Sequence, residues 1–316
     1  MMKKVIFRFI MMTKFKSIHE LYKIFPNEKS CIKYLERHRW KGIISSPFNP
    51  NSKVYPCANN QYKCEKTNRY FNVKVGTIFE NTKIPLQQWF WVLYSFVNRK
   101  KSISSCQLAE DIHVTQKTAW FMLQKLRHAS NLALFKEMLK DFVEVDEAFV
   151  GGSNLNRHWD KKVPNSQGRS WKDKTPVLGI VERESGKVFI QVVPNVKQNT
   201  LKSIIKNKVK KGSTIYTDEW YRHSRLDKYF THELVNHKIK QYVNGKASTN
   251  AVENRWSHLK RIITGIHHWV SKKHLQKYID EFVMKNNTRK YNKQDKFDLL
   301  LSSTIGKRLT YQQLTN

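Results

Sequence analysis

From Ile18 to Trp40 the apolar residues Leu21, Tyr22, Ile24, Phe25, Ile32, Leu35 and Trp40 recur at near-helical spacing. The run is broken at Pro26-Asn27-Glu28, so the pattern predicts two short helices. Residues 44–78 change character. Three prolines (Pro47, Pro50, Pro56), the pair Asn59-Asn60 and β-prone pieces at 53–55 and 70–74 predict a compact, turn-rich β module. Pro85 then opens a helix over 86–97, proline being tolerated in a first turn, and apolar residues all round that helix predict burial. A helix over 104–112, a tight turn at His113-Val114 and a helix over 115–128 make a helix-turn-helix pattern. Its second helix would enter a major groove, with Gln116, Lys117 and Thr118 facing bases or phosphates. An ordinary helical hairpin carries the same pattern.

Beyond residue 140 strands and helices alternate. A strand over 142–150 ends at Gly151-Gly152, and two strands over 176–194 flank the turn Glu184-Ser-Gly186. A basic helix over 199–211, a strand over 213–217, a helix over 222–230 and a strand over 233–235 follow, and helices over 250–264 and 272–286 close the segment. Strands first, then alternation around one mixed sheet, then terminal helices predicts an RNase H-like α/β domain. The expected organisation is a leader and helical cap (1–43), a β module (44–80), a helix-turn-helix region (81–135), the RNase H-like domain (140–290) and a C-terminal tail (291–316).

Charge narrows the function. The 316 residues carry 58 Lys+Arg against 25 Asp+Glu, a formal charge of +33, while 40% are hydrophobic and supply a core. A polyanion is the expected partner, because each phosphate met by Lys or Arg releases condensed counterions. A ribosome-associated or peripheral membrane protein shares that charge. Four cysteines without framework spacing, Cys31, Cys57, Cys64 and Cys106, suit a reducing, cytoplasmic setting. The first twelve residues resemble a signal peptide superficially, but Arg8 interrupts the apolar run and no small-residue cleavage site follows, so a translated leader ahead of Met11 or Met12 is expected. No segment reaches the roughly 18 apolar residues of a membrane span.

Three acids stand apart in so basic a chain. In Val143-Glu-Val-Asp-Glu-Ala-Phe149, alternation sets Val143, Val145 and Phe149 on one face and Glu144, Asp146 and Ala148 on the other. Asp218 ends the apolar run Thr214-Ile-Tyr-Thr-Asp218. Glu253 lies on a helix whose buried stripe includes Trp256 and Leu259, and Lys260, two turns on, shares its face. Two strands and a helix that converge three carboxylates can hold two divalent metal ions for phosphodiester chemistry, and hard cations prefer oxygen ligands. Each acid alone reads as a solvated carboxylate or a structural ion pair; the joint pattern points to a site.

The stretches 143–152, 215–218 and 250–261, with His267-His-Trp-Val-Ser-Lys-Lys-His-Leu-Gln-Lys-Tyr278 and residues 76–86, resemble the conserved blocks of insertion-sequence DDE transposases of the ISXO-type group, over about residues 15–289. The resemblance implies an RNase H-like catalytic domain that cleaves and joins DNA strands at the ends of an insertion sequence. It implies Asp146, Asp218 and Glu253 as ligands of Mg2+ (or Mn2+), two ions in a paired site, with Lys260 as the associated basic residue. Some relatives have asparagine at the third position, which leaves Asn254 as an alternative to Glu253. Double-stranded DNA as partner, a homo-oligomer on DNA and a nucleoid-associated place in a prokaryotic cell follow from the same resemblance.

The family's β module is a zinc ribbon with two Cys-x-x-Cys pairs, since tetrahedral zinc needs four thiolate or imidazole ligands. Here those positions fall on Ser46 and Asn49 and on Cys64 and Thr67, and Cys57 cannot complete a set. Zinc is not expected, Cys64 being a remnant. Further DNA contacts are expected from Arg157, Lys161, Lys162, Arg169 and Lys172, interleaved with Trp159 and Trp171, and from Lys260 and Arg261. A solvated mobile loop fits that segment equally. Two rival functions stay open, a lapsed or repurposed transposase acting as a DNA-binding regulator and an RNase H-like nuclease.

Overall fold

The structure, a computed structural model, describes residues 14–132, 135, 137–151, 154, 157–164, 174–218, 226–235, 243–244 and 247–316. The leader expected ahead of Met11 or Met12 lies outside them, as do Arg169, Trp171 and Lys172. The chain divides into two compact units, Met1–Ser130 with Lys290–Asn316, and Asn131–Arg289. Elements are numbered in chain order across both.

The first unit begins with α1 (Ile18–Ile24) and α2 (Glu28–Trp40), split where Asn27 and Ser30 form a reciprocal capping box. A three-stranded antiparallel sheet follows, β1 (Val54–Cys57), β2 (Gln61–Cys64) and β3 (Tyr70–Phe71) in that order. Cys64 is fully buried in it. At the first pair of positions where a ribbon would hold its metal, Ser46 Oγ accepts the N–H groups of Phe48 and Asn49 (3.1 and 3.4 Å), and nearby Ser52 Oγ accepts that of Lys66 (3.0 Å). Side-chain hydroxyls thus turn the chain there, as Ser and Thr do in local turns.

Helix α3 (Leu86–Asn98) buries nine residues around its circumference, as all-round hydrophobicity requires. Then come α4 (Ser105–Asp111) and α5 (Gln116–Ala129), capped by Ser104 and Thr115. The segment 291–316 corrects the expectation of a tail: it forms α9 (Lys293–Ser303) and α10 (Tyr311–Thr315). Phe297, Leu300 and Leu301 are fully buried, and Phe90 and Phe297 meet edge to face at 5.4 Å. Its apolar stripe is only a turn or so long, too short to stand out from the polar residues around it.

The second unit is built on a five-stranded sheet of β4 (Phe142–Val150), β5 (Thr175–Glu182), β6 (Val188–Val192), β7 (Thr214–Asp218) and β8 (Thr231–Val235). The order is β6-β5-β4-β7-β8; β4, β5 and β6 are antiparallel neighbours, while β7 and β8 run parallel to β4. Helix α6 (Gln198–Lys208) packs on one face, where Leu201 and Ile205 meet Val143, Val145, Ile180 and Ile215. Helices α7 (Asn250–Ile262) and α8 (Lys272–Asn287) pack on the other, against Ala148, Val150, Val177 and Ile190. Helices on both faces of a mixed sheet with this strand order make an RNase H-like type of fold. Where a helix is expected over 222–230, the described part is a 3-10 turn at Leu226–Lys228. Helix α7 runs out into a π-helical turn, Ile263–His267, and His268 (φ 57°) carries the chain out of it.

Candidate active site

Strands β4 and β7 pair in parallel from Phe142 with Thr214 to Glu144 with Tyr216 and then separate. Continuing that register by two residues sets Asp146 level with Asp218. Both acids therefore sit where β4 and β7 part, Asp218 at the carboxyl end of β7 and Asp146 midway along β4, and parting parallel strands are where open α/β sheets bind ligands. Helix α7 crosses the same face of β4. A cleft of about 480 Å³ there is lined by Asp146, Glu147, Ala148 and Phe149 of β4, by Lys174, and by Glu253, Trp256, Ser257 and Lys260 of α7. The α7 residues follow the i, i+3, i+4, i+7 spacing of one helix face. Asn254, exposed on the same helix, is not among the lining residues.

The electrostatics join all three acids. Burial, then the charge of Asp218, push the Asp146 carboxyl up to about 6, and Glu253 adds to the rise. The Trp256 indole and the Glu147 backbone act in the opposite direction. Trp256 Nε1 donates to Asp146 Oδ2 at 2.9 Å. That contact depends on Gly179, which pairs with Asp146 across the β4–β5 ladder. A Cβ on Gly179 would stand 2.4 Å from the Trp256 ring, so only a strand position without a side chain lets the ring lie against the sheet. On the helix, Thr249 Oγ1 donates to Glu253 Oε1 at 3.1 Å.

Oxygen donors in mutual repulsion suit a hard cation, which would relieve the rise at Asp146. Among the described residues, however, no three His, Cys, Asp or Glu side chains converge closely enough to form a metal-binding group. The three acids act on one another electrostatically, and Asp146 and Glu253 line one cleft, without the three closing into a ligand set.

The remaining candidates lie elsewhere. Gln116 and Lys117 are exposed at the start of α5 and Thr118 is half-buried. Gln116 Nε2 donates to Ser105 Oγ of α4 (2.7 Å), and Lys117 lies over the Tyr311 ring of α10 at 4.9 Å. In the second unit Lys161 and Lys162 are exposed, Arg157 is half-buried, and Trp159 is 86% exposed on a 3-10 turn. The Asn154 side chain closes that loop by bonding Val163 N and O (3.0 and 2.8 Å). Arg261 is exposed next to Lys260.

Trp256 is a residue that sequence patterning assigned to the core stripe alone. A glycine inside an otherwise β-branched strand, Pro176-Val-Leu-Gly-Ile-Val181, was the signal for its close approach. Glu144 was placed on the correct face, but its partners are remote in sequence.

A mixed sheet that presents acids at its parting strands, under a helix that brings a third, defines an RNase H-like type of domain. Residues 138–287 match the ISXO2-like transposase domain. The chain is 27% identical over 276 residues to an uncharacterized protein of the transposable element ISH50 of Halobacterium salinarum, covering 83% of this chain and 92% of that one. It is 35% identical over 96 residues to an uncharacterized transposase-like protein of Haemophilus influenzae, 30% of this chain and 76% of that one. The crystal structure of a pre-cleavage Mos1 transpososome aligns at 12% identity with TM-score 0.24, over 73% of this chain and 82% of that one, a likeness too distant to bear on function. The chain belongs to the ISXO2-like insertion-sequence DDE transposases.

Proposed function

We propose that this transposase cleaves DNA strands at the ends of its insertion sequence and joins them to a target, with Asp146, Asp218 and Glu253 holding Mg2+ or Mn2+. The observation that carries this is the placement of the acids, Asp146 level with Asp218 where β4 and β7 part and Glu253 on the α7 face that lines the same cleft as Asp146; the rise of the Asp146 carboxyl, caused first by burial and then by the other two acids, agrees with it. The lining of the cleft favours Glu253 over Asn254 as third acid.

Bound divalent ions would activate an attacking oxygen and stabilise the leaving one. The protein's own groups orient that chemistry. Trp256 holds one Asp146 oxygen by its indole N–H. Lys260 and Lys174, both in the lining of the cleft, would hold phosphate oxygens of a strand lying in it. Exposed Gln116 and Lys117 in the first unit, and exposed Lys161, Lys162 and Arg261 with half-buried Arg157 in the second, would contact the duplex, the basic ones through its phosphates. Zinc has no part in this scheme.

The test is to incubate the protein with its own element's terminal DNA and Mg2+ or Mn2+, scoring nicking and strand transfer. Wild type is expected to do both; Asp146→Ala and Asp218→Ala are expected to bind DNA and do neither. Absence of metal-dependent cleavage by wild type on correct ends refutes the proposal. Cleavage without joining would indicate a nuclease, and activity retained in Asp146→Ala would indicate a different site.

A further inference from the structure

Glu144 lies two residues before Asp146 on the same face of β4 and is 1% exposed. A buried carboxylate is costly unless charge and hydrogen bonds compensate it. Here the compensation comes from four donors. Glu144 Oε2 accepts the backbone N–H groups of Ala251 (2.8 Å) and Val252 (3.0 Å), in the first turn of α7. Glu144 Oε1 accepts Arg183 Nε (2.7 Å) and Ser248 Oγ (3.3 Å). Arg183 in turn donates through Nη2 to Ser248 O and Oγ (2.8 and 2.7 Å), and its guanidinium stacks 4.0 Å from the centre of the Tyr216 ring on β7.

The start of a helix leaves N–H groups that need acceptors, normally supplied by the N-cap side chain. Thr249 occupies the N-cap of α7 but makes no such bond, its hydroxyl being turned to Glu253. A carboxylate from the sheet takes over the role, and negative charge at a helix N-terminus is itself favourable. Glu253 belongs to that same first turn, whereas Trp256 and Leu259 lie a turn or more further on and are held in the core.

We propose that Glu144 is a positioning residue: a cap donated by β4 that pins the first turn of α7 and thereby sets where Glu253 stands relative to Asp146. This rests on the assignment of Asp146 and Glu253 to one metal site. Loss of the cap frays the first turn, displacing Glu253 while the Trp256–Asp146 contact stays in place.

The experiment measures Mn2+ binding to the full-length protein by calorimetry, with thermal melting and strand cleavage alongside. Glu144→Gln is expected to weaken Mn2+ binding about tenfold and to lower kcat for cleavage with KM for end DNA unchanged. Because that substitution also removes a negative charge, two further variants separate position from charge. Ser248→Ala is neutral and removes one strut; it is expected to weaken Mn2+ binding two- to threefold with little change in Tm. Arg183→Gln removes a positive charge, so electrostatics alone would tighten Mn2+ binding, whereas loss of positioning weakens it. Tighter binding in Arg183→Gln, or unchanged affinity in Ser248→Ala and in folded Glu144→Gln, overturns the proposal. Should Glu144→Gln fail to fold, the other two decide. Asp146→Ala run in parallel is expected to abolish Mn2+ binding. If it binds as wild type does, the metal site is misassigned and this proposal falls with it; if it loses binding while the three cap variants do not, only the positioning role is refuted.

Discussion

At Asp146 burial and charge repulsion oppose ionisation, and the consequence is measurable without any substrate. Its carboxyl is raised from 3.8 to about 6 in the folded chain. A group raised in this way contributes stability that is complete below the unfolded value and is lost as pH rises through the folded one. Metal-free protein should therefore lose about 1–3 kcal/mol from this group between pH 4 and pH 7. Calorimetric melting in chelator should show that loss for wild type and a flatter profile for Asp146→Asn, and Mn2+ should restore wild-type stability above pH 6. Gly179 offers a second test. An alanine there drives a methyl group into the Trp256 ring. Overpacking of this kind costs about 1–3 kcal/mol. Gly179→Ala should lower Tm, move the Trp256 indole resonance in NMR spectra and reduce strand cleavage. That Asp146 and Asp218 stand on apolar strands was legible in the sequence, because an acid in such a run has few structural explanations, and Glu253 was singled out because Lys260 shares its helix face. Trp256 and Glu144 were not, since their roles depend on which strand and helix lie opposite, and side-chain periodicity carries no information about non-local register.

Among the elements, α5 combines an exposed start with a buried end that contains an ionisable group. Lys117 at its start lies over Tyr311, and Gln116 is tied to α4. If α5 meets DNA, Lys117→Ala should weaken binding evenly across sequences and reduce the slope of log affinity against log salt by about 1, whereas Gln116→Ala should alter sequence preference. Equal salt slopes for wild type and Lys117→Ala in a binding titration would remove Lys117 from the interface. Further along, Lys125 is 5% exposed, with its ammonium 4.7 Å from the centre of the Phe121 ring. Burial brings its pKa down to about 8, against the attraction of Glu80 and with a smaller push from Arg308. A lowered lysine contributes stability that is present above its unfolded value of 10.5 and is lost as pH falls through about 8. At pH 7 the charged form is thus a burden, and Lys125→Met should raise stability by about 1–2 kcal/mol, an advantage that fades towards pH 10. Denaturant melts at pH 7 and pH 10 check both the sign and the fading. Helices α3, α4 and α5 were visible from periodicity and capping residues, and β4 and β7 from apolar runs. Strand β2 (Gln61–Cys64) was not, because its alternation is weak and only pairing with β1 and β3 makes it a strand.

On the scale of the whole chain, the second unit is one continuous segment, whereas the first is assembled from two segments that the second separates in sequence. The first unit needs its returning segment for more than closure. Phe15 packs edge to face on Phe297 at 5.3 Å, Gly306 N bonds Gly76 O at 2.9 Å, and Ser303 Oγ and Lys307 Nζ both donate to Ala129 O. Removing residues 290–316 would expose the cavity left by Phe297, Leu300, Leu301 and Leu314, each at most 1% exposed. Loss of a single buried leucine or phenylalanine costs about 2–5 kcal/mol, and a domain of this size holds about 5–15 kcal/mol in all. A chain ending at residue 289 should therefore lose the cooperative melting of its first unit, while the fragment 131–289, whose core is its own, should still fold with native-like circular dichroism. Supplying 290–316 as a separate peptide should recover part of the lost transition in the chain ending at 289. If that truncated chain instead melts as wild type does and keeps its affinity for end DNA, the returning helices are dispensable and the first unit is complete without them.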